Sequence, residues 1–90
     1  MNNARRKELA KAQECIEEAK TKLEEASDII DSCKFDEDDY RDNMPENLQD
    51  SDKYYNSESA SDAMEEAIDN ISNACDTLDD VISSIETACE

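Results

Sequence analysis

Residues 9–33 read LAKAQECIEEAKTKLEEASDIIDSC, and within them Leu9, Ala12, Ile16, Ala19, Leu23, Ala26, Ile30 and Cys33 follow one another at steps of three and four. Apolar residues recurring every 3.5 positions on average draw one narrow stripe along an α-helix. The same stepping returns in Ala60, Met64, Ala67, Ile71, Ala74, Leu78, Val81, Ile85 and Ala88. Two such stripes in 90 residues predict an all-α fold, an antiparallel helical hairpin of the coiled-coil kind.

The boundaries follow from local composition. A first helix is expected over residues 3–34, where Glu14, Glu17, Glu18, Glu24 and Glu25 alternate with Lys11, Lys20 and Lys22 on the outer face. Residues 35–50 form an acidic and aromatic elbow, with Phe35, Asp36, Glu37, Asp38, Asp39, Tyr40 and Asp42 ahead of the only proline. Pro45 suits the first turn of a short helix near residues 45–49, with Asn43 as its cap. Ser51 or Asp52 then caps a second helix over residues 51–88. The whole, residues 1–90, reads as a single domain, and a chain with no glycine is poorly suited to a turn-rich β fold.

An antiparallel pair also has a register. Pairing positions whose numbers add to 90 sets Leu9 by Val81, Ile16 by Ala74, Leu23 by Ala67 and Ile30 by Ala60, a large side chain against a small one at each level. A slip of one heptad, to a total of 97, pairs them comparably. Either register brings Arg5, Arg6 and Lys7 near Glu86 and Glu90, so that each cluster relieves the other's unfavourable position on its own helix dipole. The second helix carries a further apolar row, Ile68, Cys75, Ile82 and Cys89, which one narrow partner helix would leave partly wet. That row is expected to be covered, by the elbow and its tyrosines or by a second copy. The second option predicts a homodimer in the form of a four-helix bundle, with these four residues as its self-association surface.

Charge is the other strong signal. Twenty-six acidic residues against nine basic ones give a net charge of −17, and every charged side chain after Lys53 is negative. Such a chain is repelled by nucleic acid and by anionic membranes and is attracted to cationic surfaces. No apolar run approaches the length of a membrane-spanning helix, and the charged N-terminal residues do not read as a signal peptide, so a cytoplasmic location is expected.

Chemistry is sparse. Without histidine or any Cys-x-x-Cys pair, Cys15, Cys33, Cys75 and Cys89 read as core thiols rather than a zinc site or disulfide framework. Asp36, Asp38 and Asp42 are spaced like the start of a calcium loop, but Arg41 stands where that loop requires glycine and Asn47 where it requires glutamate. No catalytic residues, cofactor or metal are expected, and the chain is not read as an enzyme. What remains is an anionic face: Asp62, Glu65, Glu66, Asp69, Asp76, Asp79, Asp80 and Glu86 along the second helix. Carboxylates every few ångströms along a helix imitate a nucleic-acid backbone in sign and spacing. The expected partner is therefore a protein with a basic, nucleic-acid-binding surface, which this chain would occupy as a mimic, inhibitor or decoy. The alternative is a structural or assembly module that acts through coiled-coil self-association or helix-bundle docking, its charge serving solubility.

The stretch Asn43-Met44-Pro45-Glu46-Asn47-Leu48-Gln49-Asp50-Ser51, followed by Tyr54 and an acidic heptad helix, resembles small acidic helical proteins of phages and mobile elements of Gram-positive bacteria. The likeness covers about residues 40 to 88. It implies a context, the bacterial host cytoplasm, in which small acidic proteins counter restriction or CRISPR enzymes by occupying their nucleic-acid sites. It carries no functional residue onto this chain.

Overall fold

The computed structural model describes residues 1–90, an all-helical, two-helix hairpin. Helix α1 spans Asn3–Asp42 and helix α2 spans Asp52–Ala88, with a single 3-10 turn at Glu46–Leu48 between them. α1 runs eight residues past its expected end at Lys34. Aspartates are poor helix formers near a C-terminus, yet Lys34 pairs with Asp38 one turn on (3.0 Å) and Arg41 pairs back to Asp38 (2.9 Å). These i,i+4 and i,i+3 contacts, with Arg41 in the last turn facing the negative end of the dipole, carry the helix through the acidic run.

The reversal is made without glycine and without any residue at positive φ. Pro45 lacks an N–H and disfavours helical geometry at Met44, which ends α1. Asn43 does not cap the 3-10 turn; its amide donates to the Asp39 carbonyl (2.9 Å) and so closes α1 instead. Pro45 occupies the cap position of the turn with no side-chain hydrogen bond. Ser51 caps α2, its Oγ accepting from the Tyr54 N–H at 3.4 Å.

The hairpin divides into two compact units, Met1–Glu25 with Ile71–Glu90, and Ala26–Asn70. In the first unit the half-buried positions of α1 are Arg6, Leu9, Ala12, Gln13, Ile16, Lys20 and Leu23; those of α2 are Ile71, Leu78, Ile82, Ile85 and Cys89, with Cys75 buried. Arg6 lies at the end of α2, donating to the main-chain oxygens of Cys89 (3.2 Å) and Glu90 (3.5 Å). The basic start of α1 thus meets unsatisfied carbonyls of the last turn rather than the Glu86 side chain. In the second unit the inward positions include Ser27, Ile30, Lys34, Glu37 and Arg41 on α1, Met44 in the connection, and Tyr54, Ser57, Ser61, Met64 and Ile68 on α2.

Two expectations are corrected by these positions. Leu9, Ile16, Leu23 and Ile30, and Met64, Ile71, Leu78 and Ile85, do line the seam, but their companion rows differ. On α2 the second seam row is Ile68, Cys75, Ile82 and Cys89, while Ala74, Val81 and Ala88 are exposed. That row faces inward within the chain and is not left for the elbow tyrosines. Isoleucine carries three more carbons than alanine, at about 0.8 kcal/mol per buried CH2, so rotating α2 to bury Ile68 and Ile82 outweighs close alanine packing. On α1 the companion row is Gln13, Lys20, Ser27, Lys34 and Arg41, while Ala19 and Cys33 are exposed. Lys20 and Lys34 offer long apolar stems to the seam and carry their charged ends out to its edge, whereas Arg41 turns its guanidinium inward to the buried Ser57 and Ser61.

The register differs too. Lys20 pairs with Asp79, Lys34 with Glu65 and Asp38 with Ser61, positions adding to 99, while the longer reach of Arg41 to Ser57 and Ser61 gives 98 and 102 and that of Arg6 to Cys89 and Glu90 gives 95 and 96. These totals sit beside the slipped register of 97 and exclude that of 90. At a total of 98, Ile16 is level with Ile82 and Leu23 with Cys75 in the first unit, and Ile30 with Ile68 in the second, so the larger apolar residues share layers.

Candidate functional site

The seam on α2 fixes where every other side chain of that helix points. Beside the two seam rows runs an edge made of Ala60, Ala67, Ala74, Val81 and Ala88, flanked by Asn56, Ala63, Asn70, Thr77 and Ser84; none of these ten positions carries a charge. The ten acidic residues that follow Lys53 all fall on the remaining three heptad rows. From Asn56 onward α2 therefore has an uncharged edge and an acidic flank, Lys53 in the first turn being the one charged residue on the edge row.

All eight residues of the expected anionic face lie on that flank and are exposed. In the second unit they are Asp62, Glu65, Glu66 and Asp69; in the first, Asp76, Asp79, Asp80 and Glu86. Two are engaged from α1: Asp79 by Lys20 at 2.9 Å and Glu65 by Lys34 at 3.8 Å. The other six have no basic partner within 4.0 Å, which leaves their charge directed at solvent. The hydrogen bond and charge of Asp79 raise the affinity of the Lys20 ammonium for its proton, and Asp38 does the same for Lys34, so both cations are retained well above neutral pH.

The second unit holds the densest polar cluster. Asp38 accepts hydrogen bonds from the Ser61 hydroxyl, from Lys34 (3.0 Å) and from Arg41 (2.9 Å), while Arg41 also donates to Ser61 (3.0 Å) and Ser57 (3.3 Å). Ser57 and Ser61 are 2% and 4% exposed, the most buried residues of the chain. The Ser61 hydroxyl above all, then Lys34 and Arg41, hold the Asp38 carboxyl down at about 2 against the partial burial that opposes ionisation. No buried side-chain polar atom of the chain lacks a partner. The cluster is a structural pin between α1 and α2.

No cluster of three or more acidic, cysteine or histidine side chains is arranged to hold a metal ion. The four cysteines are free thiols, and they split by location: Cys75 is buried and Cys89 half-buried in the seam, whereas Cys15 and Cys33 are exposed. The last two depart from the expected core placement because α1 turns its lysine row inward instead. No helix is long and apolar enough to cross a membrane.

No family model matches the sequence, no curated protein matches it, and no solved structure matches it. The site therefore stands on its own geometry: an acidic flank, an uncharged edge, and several exposed apolar side chains. Among these, Ile29 (66% exposed) and Tyr40 (51%) lie in the second unit on the side of α1 that also carries Cys33, and Val81 lies on the α2 edge in the first. Sequence periodicity had placed the alanines of this edge at the centre of the hairpin; the signal that separates them from the true seam is the absence of charge on a third and fourth row of α2.

Proposed function

We propose that this protein is a structural or assembly module that works by helix-bundle docking, presenting the uncharged edge of its hairpin to other helices. One observation supports the reading above the rest. Only Met44 and Cys75 are buried among the apolar residues, and no large side chain is fully buried. Two helices of 40 and 37 residues place their seam side chains in half-buried positions, which is the state of a helix bundle with part of its walls missing. Dilution tests this. Alone and dilute, the chain is expected to unfold over a broad temperature range when followed by circular dichroism, whereas sharp, dilution-independent unfolding would overturn the reading.

A second reading, occupation of a basic nucleic-acid-binding surface, is favoured by the six unpaired carboxylates of the acidic flank. In the phage or mobile-element setting that the resemblance implies, the partner would be a nucleic-acid-binding enzyme of host defence. Competition for a basic DNA-binding protein tests it: the chain should displace duplex DNA at low salt, lose that ability steeply as salt rises, and lose it on Asp76→Lys with Asp80→Lys. Displacement that is indifferent to both salt and charge reversal would count against this mode of action.

A further inference from the structure

We propose that the covering helices come from a second copy of this chain, α2 packing antiparallel against α2 of the partner copy about Ala74. The inference rests on the docking reading above and names its occupant. Three observations carry it.

The first is area. The chain exposes 6535 Å², where a folded monomer of 10.2 kDa is expected to expose about 5,300 Å². The surplus of about 1,200 Å² exceeds the roughly 800 Å² that each partner gives to a stable interface of standard size.

The second is charge. A copy of this chain brings a net charge of −17, so two copies repel on any face that carries carboxylates. A cationic partner would be drawn to the acidic flank and would gain nothing from a neutral edge. An edge without charge from Asn56 to Ala88, with only Lys53 of the first turn on its row, on a helix otherwise studded with carboxylates, suits a partner that is itself strongly acidic.

The third is symmetry. A two-fold contact must be self-complementary. Reversing the edge about Ala74 sets Ala67 against Val81 of the partner copy and Ala60 against its Ala88, so that small residues face small ones and the one bulky side chain meets an alanine. Val81, 37% exposed within one chain, then has an apolar counterpart.

Sedimentation equilibrium of the full chain at tens of micromolar tests the proposal. The expected mass is two-fold the single-chain value of 10.2 kDa, with the dimer fraction rising as salt screens the repulsion. Ala74→Glu and Val81→Glu should each reduce the mass to one-fold, while Asn73→Glu, on the acidic flank, leaves it two-fold. Glutamate is a good helix former, so circular dichroism at matched concentration reports whether helix survives in each variant. Mixing Ala74→Glu with Ala74→Lys should restore the two-fold mass, because the position faces itself. A two-fold mass that persists in Ala74→Glu, or a mixture that stays one-fold, would overturn the arrangement. A one-fold wild type with broad unfolding would overturn the second copy and leave the docking reading with another occupant; a one-fold wild type with sharp unfolding would overturn both.

Discussion

Asp38 on α1 accepts the hydroxyl proton of Ser61, a residue of α2 that is almost wholly buried, and the same carboxylate oxygen is held by Arg41. The pair ties the two helices together in the second unit, where apolar layers give way to polar ones. Its consequence is a pH dependence. A carboxyl whose folded value lies at about 2, below its ordinary 3.8, adds stability that is complete above the ordinary value and is lost as pH falls through the folded one. Acidification acts in the opposite direction on the rest of the chain, because protonating the other carboxylates relieves repulsion in a molecule of net charge −17.

Thermal midpoints are therefore expected to rise from pH 7 toward pH 4 and to fall between about 4 and about 2. In Asp38→Asn the rise should remain, the fall at low pH should disappear, and the midpoint at pH 7 should be lower than wild type. A fall of equal depth in the variant would show that other groups cause it.

The choice of seam row on α2 predicts a contrast between adjacent residues. Ile82 faces α1 and Val81 faces outward. Ile82→Ala should cost about 2 kcal/mol, toward the lower end of the range for large-to-small changes because the site is half-buried. At a dilution that keeps the chain in single copies, Val81→Ala should cost less than about 0.5 kcal/mol. Urea unfolding of both variants at one chain concentration gives the comparison, and equal costs would contradict the assigned rotation of α2.

How much of this was legible in the sequence can be judged from the same residues. The heptad stepping identifies two helices and a hairpin, because 3.5-residue periodicity survives whichever neighbouring row is chosen. It does not choose between Ala74 and Cys75, or between Ala19 and Lys20, since in each case both candidates keep the spacing with Leu78 and Leu23. Classing lysine as polar hides the four-carbon stem that lets Lys20 and Lys34 serve as seam residues. Once that row is turned inward, the register moves from 90 toward 98, and the alanines become an outer edge. The extension of α1 through Asp42 was hidden for a related reason: Asp38 reads as a helix breaker until Lys34, Arg41 and Ser61 are seen around it. The acidic flank needed no such knowledge, because charge is counted directly from the residues.

Thiol chemistry separates the four cysteines. Cys15 and Cys33 are exposed, Cys89 is half-buried and Cys75 is buried. With a colorimetric disulfide reagent under native conditions, two thiols per chain should react fast, Cys89 more slowly, and Cys75 at a rate limited by opening of the helices. Single Cys→Ser variants assign the phases. Rapid modification of Cys75 at the rate of Cys15 would show that its row is not in the seam.

Lys20 allows the roles of stem and charge to be divided. Its side chain is 31% exposed and its ammonium lies 2.9 Å from Asp79, whose own side chain is half in water. An ion pair in that setting contributes little, because both charges are solvated when apart and two long side chains are immobilised when together. At a register total of 98 the methylene stem lies level with Leu78, and both residues are half-buried. Lys20→Met keeps the stem and removes the charge, so it should leave the thermal midpoint unchanged or raise it. Lys20→Ser removes both and should lower it, and Asp79→Asn, which removes only the partner, should fall near wild type. If Lys20→Met proves as destabilising as Lys20→Ser, it is the charge that holds this layer, and the rotation of α1 must then owe its stability to the ion pair at the edge rather than to apolar contact within the seam.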